Sequence, residues 1–153
     1  MSLNGEWRKR IDNWLKALPR GFYRPLGTVE LSGFLTMDQL TPEQAAEGDF
    51  QPMPPGTRWG AKWQYAWFRG EVELPAEAEG HRIVFDYHGG GTEAMIFVNG
   101  EAVGSRGGPR PPVTLTREGR KGQRFSLLAE AYGGHGPTPC AVGPVSHGQS
   151  SVP

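Results

Sequence analysis

From Tyr65 to Leu74 the chain alternates strictly. Ala66, Phe68, Gly70, Val72 and Leu74 fall on one side; Tyr65, Trp67, Arg69, Glu71 and Glu73 fall on the other. A two-residue period predicts a strand with one face in a core. Pro75 stops it, because proline cannot donate to a ladder. The aliphatic face belongs inside. The aromatic and charged face predicts a wall against which another surface packs, and the strand is expected at the centre of its sheet.

The same pattern recurs down the chain. Val29, Leu31, Gly33 and Leu35 alternate and predict a strand over 28–35. Further strands are predicted over 82–87, 93–98, 101–103, 113–116 and 125–132, with Phe125, Leu127, Ala129 and Ala131 opposite Leu128, Glu130 and Tyr132. Asn99-Gly100 between two of them signals a type I′ hairpin turn. Helical spacing appears only in the first third. Trp7, Ile11, Trp14, Leu15 and Leu18 form one stripe that Asn4 caps and Pro19 and Gly21 end. Two tryptophans on so short a helix need cover. Docking on the domain's own sheet is the favoured reading, and a face for another body is the alternative. Thr41-Pro42-Glu43-Gln44 carries a capping-box pattern for one short helix closed by Gly48. Many short strands separated by turns, with helix only near the start, predict an antiparallel β-sandwich of jelly-roll or galactose-binding-like type.

Composition changes this picture little. The chain has 153 residues, one ordinary domain's length, with 23 glycines and 14 prolines that read as frequent turns. The 16 basic and 16 acidic residues cancel, and no basic stripe appears, which argues against nucleic acid. Near-zero charge gives little colloidal repulsion, so contact with another protein surface, including a homo-oligomer, is expected. Cys140 is the single cysteine, which excludes an internal disulfide and fits a reducing, cytoplasmic setting. No apolar run reaches the roughly 20 residues of a membrane helix, and the start does not read as a signal peptide. Residues 1–137 read as the folded unit and 138–153, rich in glycine, proline and serine, as a linker or tail.

Candidate chemistry is sparse. His81, His88, His135 and His147 lack the close spacing of a zinc site, and the glycine runs at 89–91 and 104–108 lack the helix and lysine of a phosphate loop. Asp86, Glu93 and Glu130 are possible carboxylates for glycoside chemistry, which needs two of them flanking the bond, but spacing alone brings no two together. Trp59, Trp63, Trp67 and Tyr132 are candidates for stacking on sugar rings or for packing in a core or interface, with Trp7 and Trp14 as further interface candidates. Arg58 and Arg69 are expected beside aromatic rings. Glu93, Glu130 and His135 complete the polar candidates. No catalytic residue is assigned.

An ordered set of segments resembles a known family. Pro55-Gly56-Thr57-Arg58-Trp59-Gly60, Trp67-Phe68-Arg69-Gly70 with Leu74-Pro75, Thr92-Glu93-Ala94 with Phe97-Val98-Asn99-Gly100, and Leu128 to Gly136 resemble the N-terminal β-sandwich domain of bacterial α-mannosidases of glycoside hydrolase family 38. Trp14-Leu15, Tyr23-Arg24-Pro25 and Phe34-Leu35-Thr36 are similar to the same region. The resemblance runs from Trp7 to Pro137. It implies a non-catalytic accessory domain that packs on an α/β barrel, where an aspartate nucleophile and a zinc ion hydrolyse α-mannosides with retention. The implied partner is the catalytic domain of the same polypeptide, with a mannose oligosaccharide as a further ligand. The zinc is expected in that parent domain, with no cofactor in this chain. An autonomous carbohydrate-binding module is the alternative. Members often carry an Asp and a His after the second hairpin strand. Here the loop reads Ser105-Arg106-Gly107-Gly108-Pro109-Arg110, so no role is carried over to it.

Overall fold

The computed structural model describes residues 3–107, 110–135 and 150–151. Its centre is β4 (Tyr65–Glu73), the strand that the alternation predicts. Around it a six-stranded sheet forms in the order β2 (Gln51–Pro52), β1 (Ser32–Thr36), β4, β9 (Arg124–Tyr132), β6 (Glu93–Val98), β7 (Glu101–Arg106), all antiparallel. A second sheet pairs β5 (Ile83–Phe85) with β8 (Val113–Thr116). Two short segments, β3 (Arg58–Trp59) and β10 (Ser150–Ser151), pair with each other.

The inner face of the large sheet meets the β5–β8 pair. Ala66, Ala131 and Ala94 lie in register across β4, β9 and β6. This row of small side chains leaves space for Trp59, Phe68 and Tyr87 in the same buried cluster. Farther along, Leu74, Ile83, Val98, Phe125 and Leu127 form a second cluster. The alternating burial along β9 is what a strand with one face in a core requires. Asn99 (φ +52°) and Gly100 (φ +84°) make the predicted hairpin turn, and Asn99 Oδ1 also accepts the Ser126 N–H at 2.9 Å.

A third layer covers part of the outer face. α2 (Pro42–Ala46) has the predicted capping box: Thr41 Oγ1 accepts the Gln44 N–H, and Gln44 Oε1 accepts the Thr41 N–H. The helix and the segment after it lay Ala45 and Phe50 over Trp67, with Phe34, Leu40, Phe97 and Leu128 around them. Gly48 permits this approach, because a Cβ there would collide with the Phe34 ring.

Some boundaries differ from those expected. The first strand begins at Ser32, not 28, and its Leu35 is exposed. The strand over 82–87 is shorter, whereas β7 extends to Arg106 past a bulge at Ile96/Phe97. The larger correction concerns the first helix. α1 (Leu3–Ala17) does not dock on the sheet. Trp7, Ile11, Trp14 and Leu15 are 55%, 52%, 64% and 55% exposed, and the Arg10 guanidinium lies 4.9 Å from the Trp7 ring. The amphipathic stripe forms as its spacing dictates, but its apolar side stays open to solvent.

Of the tail expected over 138–153, the described residues are Ser150 and Ser151. Cys140 and His147 lie outside the described residues.

Candidate functional site: an aromatic ladder on the outer face

β4 and β9 bring two tyrosines together. Tyr65 pairs with Tyr132 in register, both side chains point outward, and the rings stack with centroids 5.0 Å apart at 30°. Beyond β9 the chain turns through Gly133 and Gly134 and returns His135 over Tyr132. The Tyr132 hydroxyl and His135 Nδ1 are 2.5 Å apart. Trp63 completes the series, its ring 4.8 Å from the imidazole. The order across the surface is thus Trp63, His135, Tyr132, Tyr65.

The backbone holds this ladder in place. The Trp63 N–H donates to Gly134 O, and the Gly133 N–H donates to Gln64 O, each at 2.8 Å. Gln64 Oε1 accepts the N–H groups of Gly60 and Ala61, both at 3.0 Å. Gly133 is required for the approach, since a Cβ would lie 2.8 Å from Ala61 O. Trp63 itself has φ +67°, the left-handed region that non-glycine residues avoid. A strained turn here holds a large ring 49% exposed to solvent, which is the kind of cost that accompanies function.

Two carboxylates border the rings. Glu93 pairs with Tyr132, and Glu130 lies two residues before Tyr132 on the same face. Burial, with a smaller contribution from the charge of Glu93, holds the Glu130 carboxyl above its usual value of 4.5. Burial first, then Tyr65 and Glu93, raise the Tyr132 phenol. A surface with flat rings, phenol and imidazole edges and two acids can take the C–H face and hydroxyls of a sugar, or the apolar and basic side chains of a protein.

The sign for Glu130 is testable. A raised carboxyl pKa means that the fold favours the neutral acid, so its contribution is complete below the unfolded pKa and is lost as pH rises through the folded one. Glu130→Gln, neutral throughout, is expected to raise the melting temperature at about pH 7 and leave it unchanged at about pH 3. Thermal melts across that range check it; an equal shift at both ends would remove ionisation as the cause.

The structure redistributes the candidate residues. Trp63, Tyr132, His135, Glu93 and Glu130 come together. Trp59 and Trp67 do not join them and cannot stack on a ligand. Trp59 is buried, its indole N–H donating to Gly89 O at 2.8 Å and its ring edge-on to Phe68. Trp67 is 0% exposed beneath the third layer. Arg69 lies over Phe50, 4.2 Å from the ring centroid, and Arg58 is exposed on β3. Trp7 and Trp14 lie on α1, exposed. Tyr65 is the residue that sequence reasoning missed. Its outward position in β4 was legible, but its stacking on Tyr132 depends on the register of strands separated by more than fifty residues.

Among the described residues no group of three or more His, Cys, Asp or Glu side chains could hold a metal ion. No helix among them is long and apolar enough to cross a membrane.

Residues 27–135 match the family model described as "Alpha-mannosidase, jelly roll domain". The chain belongs to the α-mannosidase jelly-roll domain family. The domain match runs from just before β1 to His135, so it contains the whole ladder and leaves out α1. Curated relatives of this jelly-roll domain include alpha-mannosidase 2C1 of Mus musculus, 32% identical over 94 residues, and alpha-mannosidase 2C1 of Homo sapiens, 32% identical over 91 residues. The aligned parts cover 61% and 60% of the chain. The aligned part spans 8% of the length of each relative.

Proposed function

We propose that this chain is the accessory domain of an α-mannosidase-like glycoside hydrolase, and that its ladder face packs on the catalytic barrel and shapes the approach to the active site. The observation that carries the reading is Trp63. The domain family is that of α-mannosidases, and within it a strained turn presents a half-exposed tryptophan on a built stack of rings. Buried aromatic anchors of this type dominate protein interfaces. The unpartnered apolar stripe of α1 supplies a second contact to the same body, since a helix of 15 residues is marginal in water without a surface to cover it. Bond cleavage and zinc belong to the barrel in this reading, and the site of action is cytoplasmic, for which the single cysteine speaks.

Isothermal titration of the chain into the catalytic barrel of a family 38 α-mannosidase freed of its own jelly-roll domain tests this. A saturable complex is expected. Trp63→Ala is expected to weaken it more than tenfold, about 1.4 kcal/mol or more. No complex, or one indifferent to Trp63, would overturn the reading.

The second reading, an autonomous carbohydrate-binding module, draws on Glu93 and Glu130 beside the same rings, an arrangement that suits sugar hydroxyls and C–H faces together. Saturable binding of mannose oligosaccharides to the chain, with barrel binding absent, would favour it.

A further inference from the structure

The helix α1 carries a sorted set of charges. It turns by about 100° per residue, which places the exposed Trp7, Ile11, Trp14 and Leu15 within an arc of about 100°. Arg8 follows about 20° beyond one border of that seam, and Arg10 about 40° beyond the other. Lys9 and Lys16 fall on the opposite side of the helix. Glu6 and Asp12 stand about 60–80° from the borders, so both flanks of the seam are arginine. Neither arginine is in an ion pair among the described residues, and Arg10 lies against the Trp7 ring.

Charge is concentrated here as well. Residues 3–24 carry six of the chain's 16 basic residues and two of its 16 acidic ones, so the remainder of the chain is acidic by four. This cationic segment precedes the jelly-roll match over 27–135. Tryptophan and arginine, which form and flank its seam, are the side chains that dominate interface energetics.

These features select a partner surface. An arginine fork meets a carboxylate through two parallel N–H donations, which a lysine cannot make. An apolar groove with carboxylates along its rims uses the seam and both flanks together and leaves the lysines in water. An anionic lipid surface would not distinguish the arginines from the lysines, and it would meet Glu6 and Asp12 on the polar side of the helix. A second copy of the chain offers a groove of about 600 Å³ across β1, β4 and β9, with Glu30 and Glu71 beside Leu31 and Leu128. Arg69 lies in that groove, its guanidinium 4.2 Å from the Phe50 ring, so the arginines of α1 would meet a third cation there. We propose, resting on the accessory reading above, that α1 seats in an apolar groove of the catalytic body with carboxylates on both rims. One rim pairs with Arg8 and the other with Arg10.

Isothermal titration of the chain into the family 38 barrel at about 50 and 300 mM salt tests the rims. Arg8→Glu combined with Arg10→Glu is expected to weaken the complex about tenfold or more at the lower salt and to reduce its salt dependence. Lys9→Glu combined with Lys16→Glu makes the same change of charge on the back of the helix and should alter the affinity less than threefold. Both chains should melt with the parent, because the exposed seam of α1 supports no packing within the domain. Equal weakening by the two pairs, or none by the arginine pair, would overturn the proposal. So would self-association of the chain in sedimentation, or saturable binding to phosphatidylserine vesicles, that the arginine pair abolishes. The two readings fail differently. A parent chain that forms no complex sinks the accessory reading and the rims together. A complex that loses affinity with Trp63→Ala but not with the arginine pair sinks the rims alone.

Discussion

Trp67→Ala is expected to lower stability by about 3–5 kcal/mol, the range for deleting a large buried aromatic. At about 2–4 °C per kcal/mol for a chain of this size, the melting temperature should fall by roughly 6–20 °C. The indole is fully enclosed, with Phe34 paired beside it on β1, Phe97 stacked at 6.3 Å, and Ala45 and Phe50 above. Phe34 and Phe50 meet edge-on at 5.0 Å and depend on the same filling. The Trp67 indole N–H has no partner among the described residues, so Trp67→Phe removes an unsatisfied donor along with some volume. It should cost less than half as much as the alanine change. Thermal or urea melts of the two variants check the pair. A Trp67→Ala chain that melts like its parent would mean that the third layer does not cover the sheet.

Gly33→Ala should also destabilise, by about 1–3 kcal/mol. The sign is informative, because replacing a strand-interior glycine with alanine ordinarily gains about 0.5–1 kcal/mol. Gly33 lies in β1 opposite Phe68. A Cβ there would sit 2.6 Å from Met53 Sδ, 2.7 Å from Trp67 O and 3.0 Å from Phe68 Cδ1. The thioether can rotate away. The Trp67 carbonyl cannot, because it belongs to the central strand. A denaturant melt decides it: a rise in the midpoint would mean that β1 stands farther from β4 than the register here requires.

Local chemistry was readable where it is self-contained. Thr41 and Gln44 close their capping box within four residues, and Asn99-Gly100 turns a hairpin between adjacent strands. The alternation of β4 shows which side chains share a face, and the face through Ala66 and Phe68 is inside as expected. Alternation does not show what covers the other face. The alternation places Trp67 on the outer wall, where it lies, but α2 and Phe50 of the same chain close over it. Trp59 is buried through a hydrogen bond to Gly89, thirty residues away, which no local pattern carries. The helical stripe of α1 was legible and its docking was not. A stripe demands a covering surface without naming one, and here the core of this chain does not supply it. The ladder was legible in pieces. Trp63, Tyr132 and His135 were candidates by residue type, while Tyr65 and the proximity of Glu93 to Glu130 follow from the β4–β9–β6 register. The family resemblance drawn from ordered motifs agrees with the domain match over 27–135.

In the function proposed above, the domain meets another body through the exposed ring stack, and the buried tryptophans only build the platform beneath it. Hydrogen exchange of the chain alone and in complex with the family 38 barrel tests it most directly. New protection is expected at 61–65 and 132–135, with the amides of 45–50 above Trp67 unchanged. Protection confined to the third layer at 45–50, with the ladder amides exchanging as in the free chain, would contradict it.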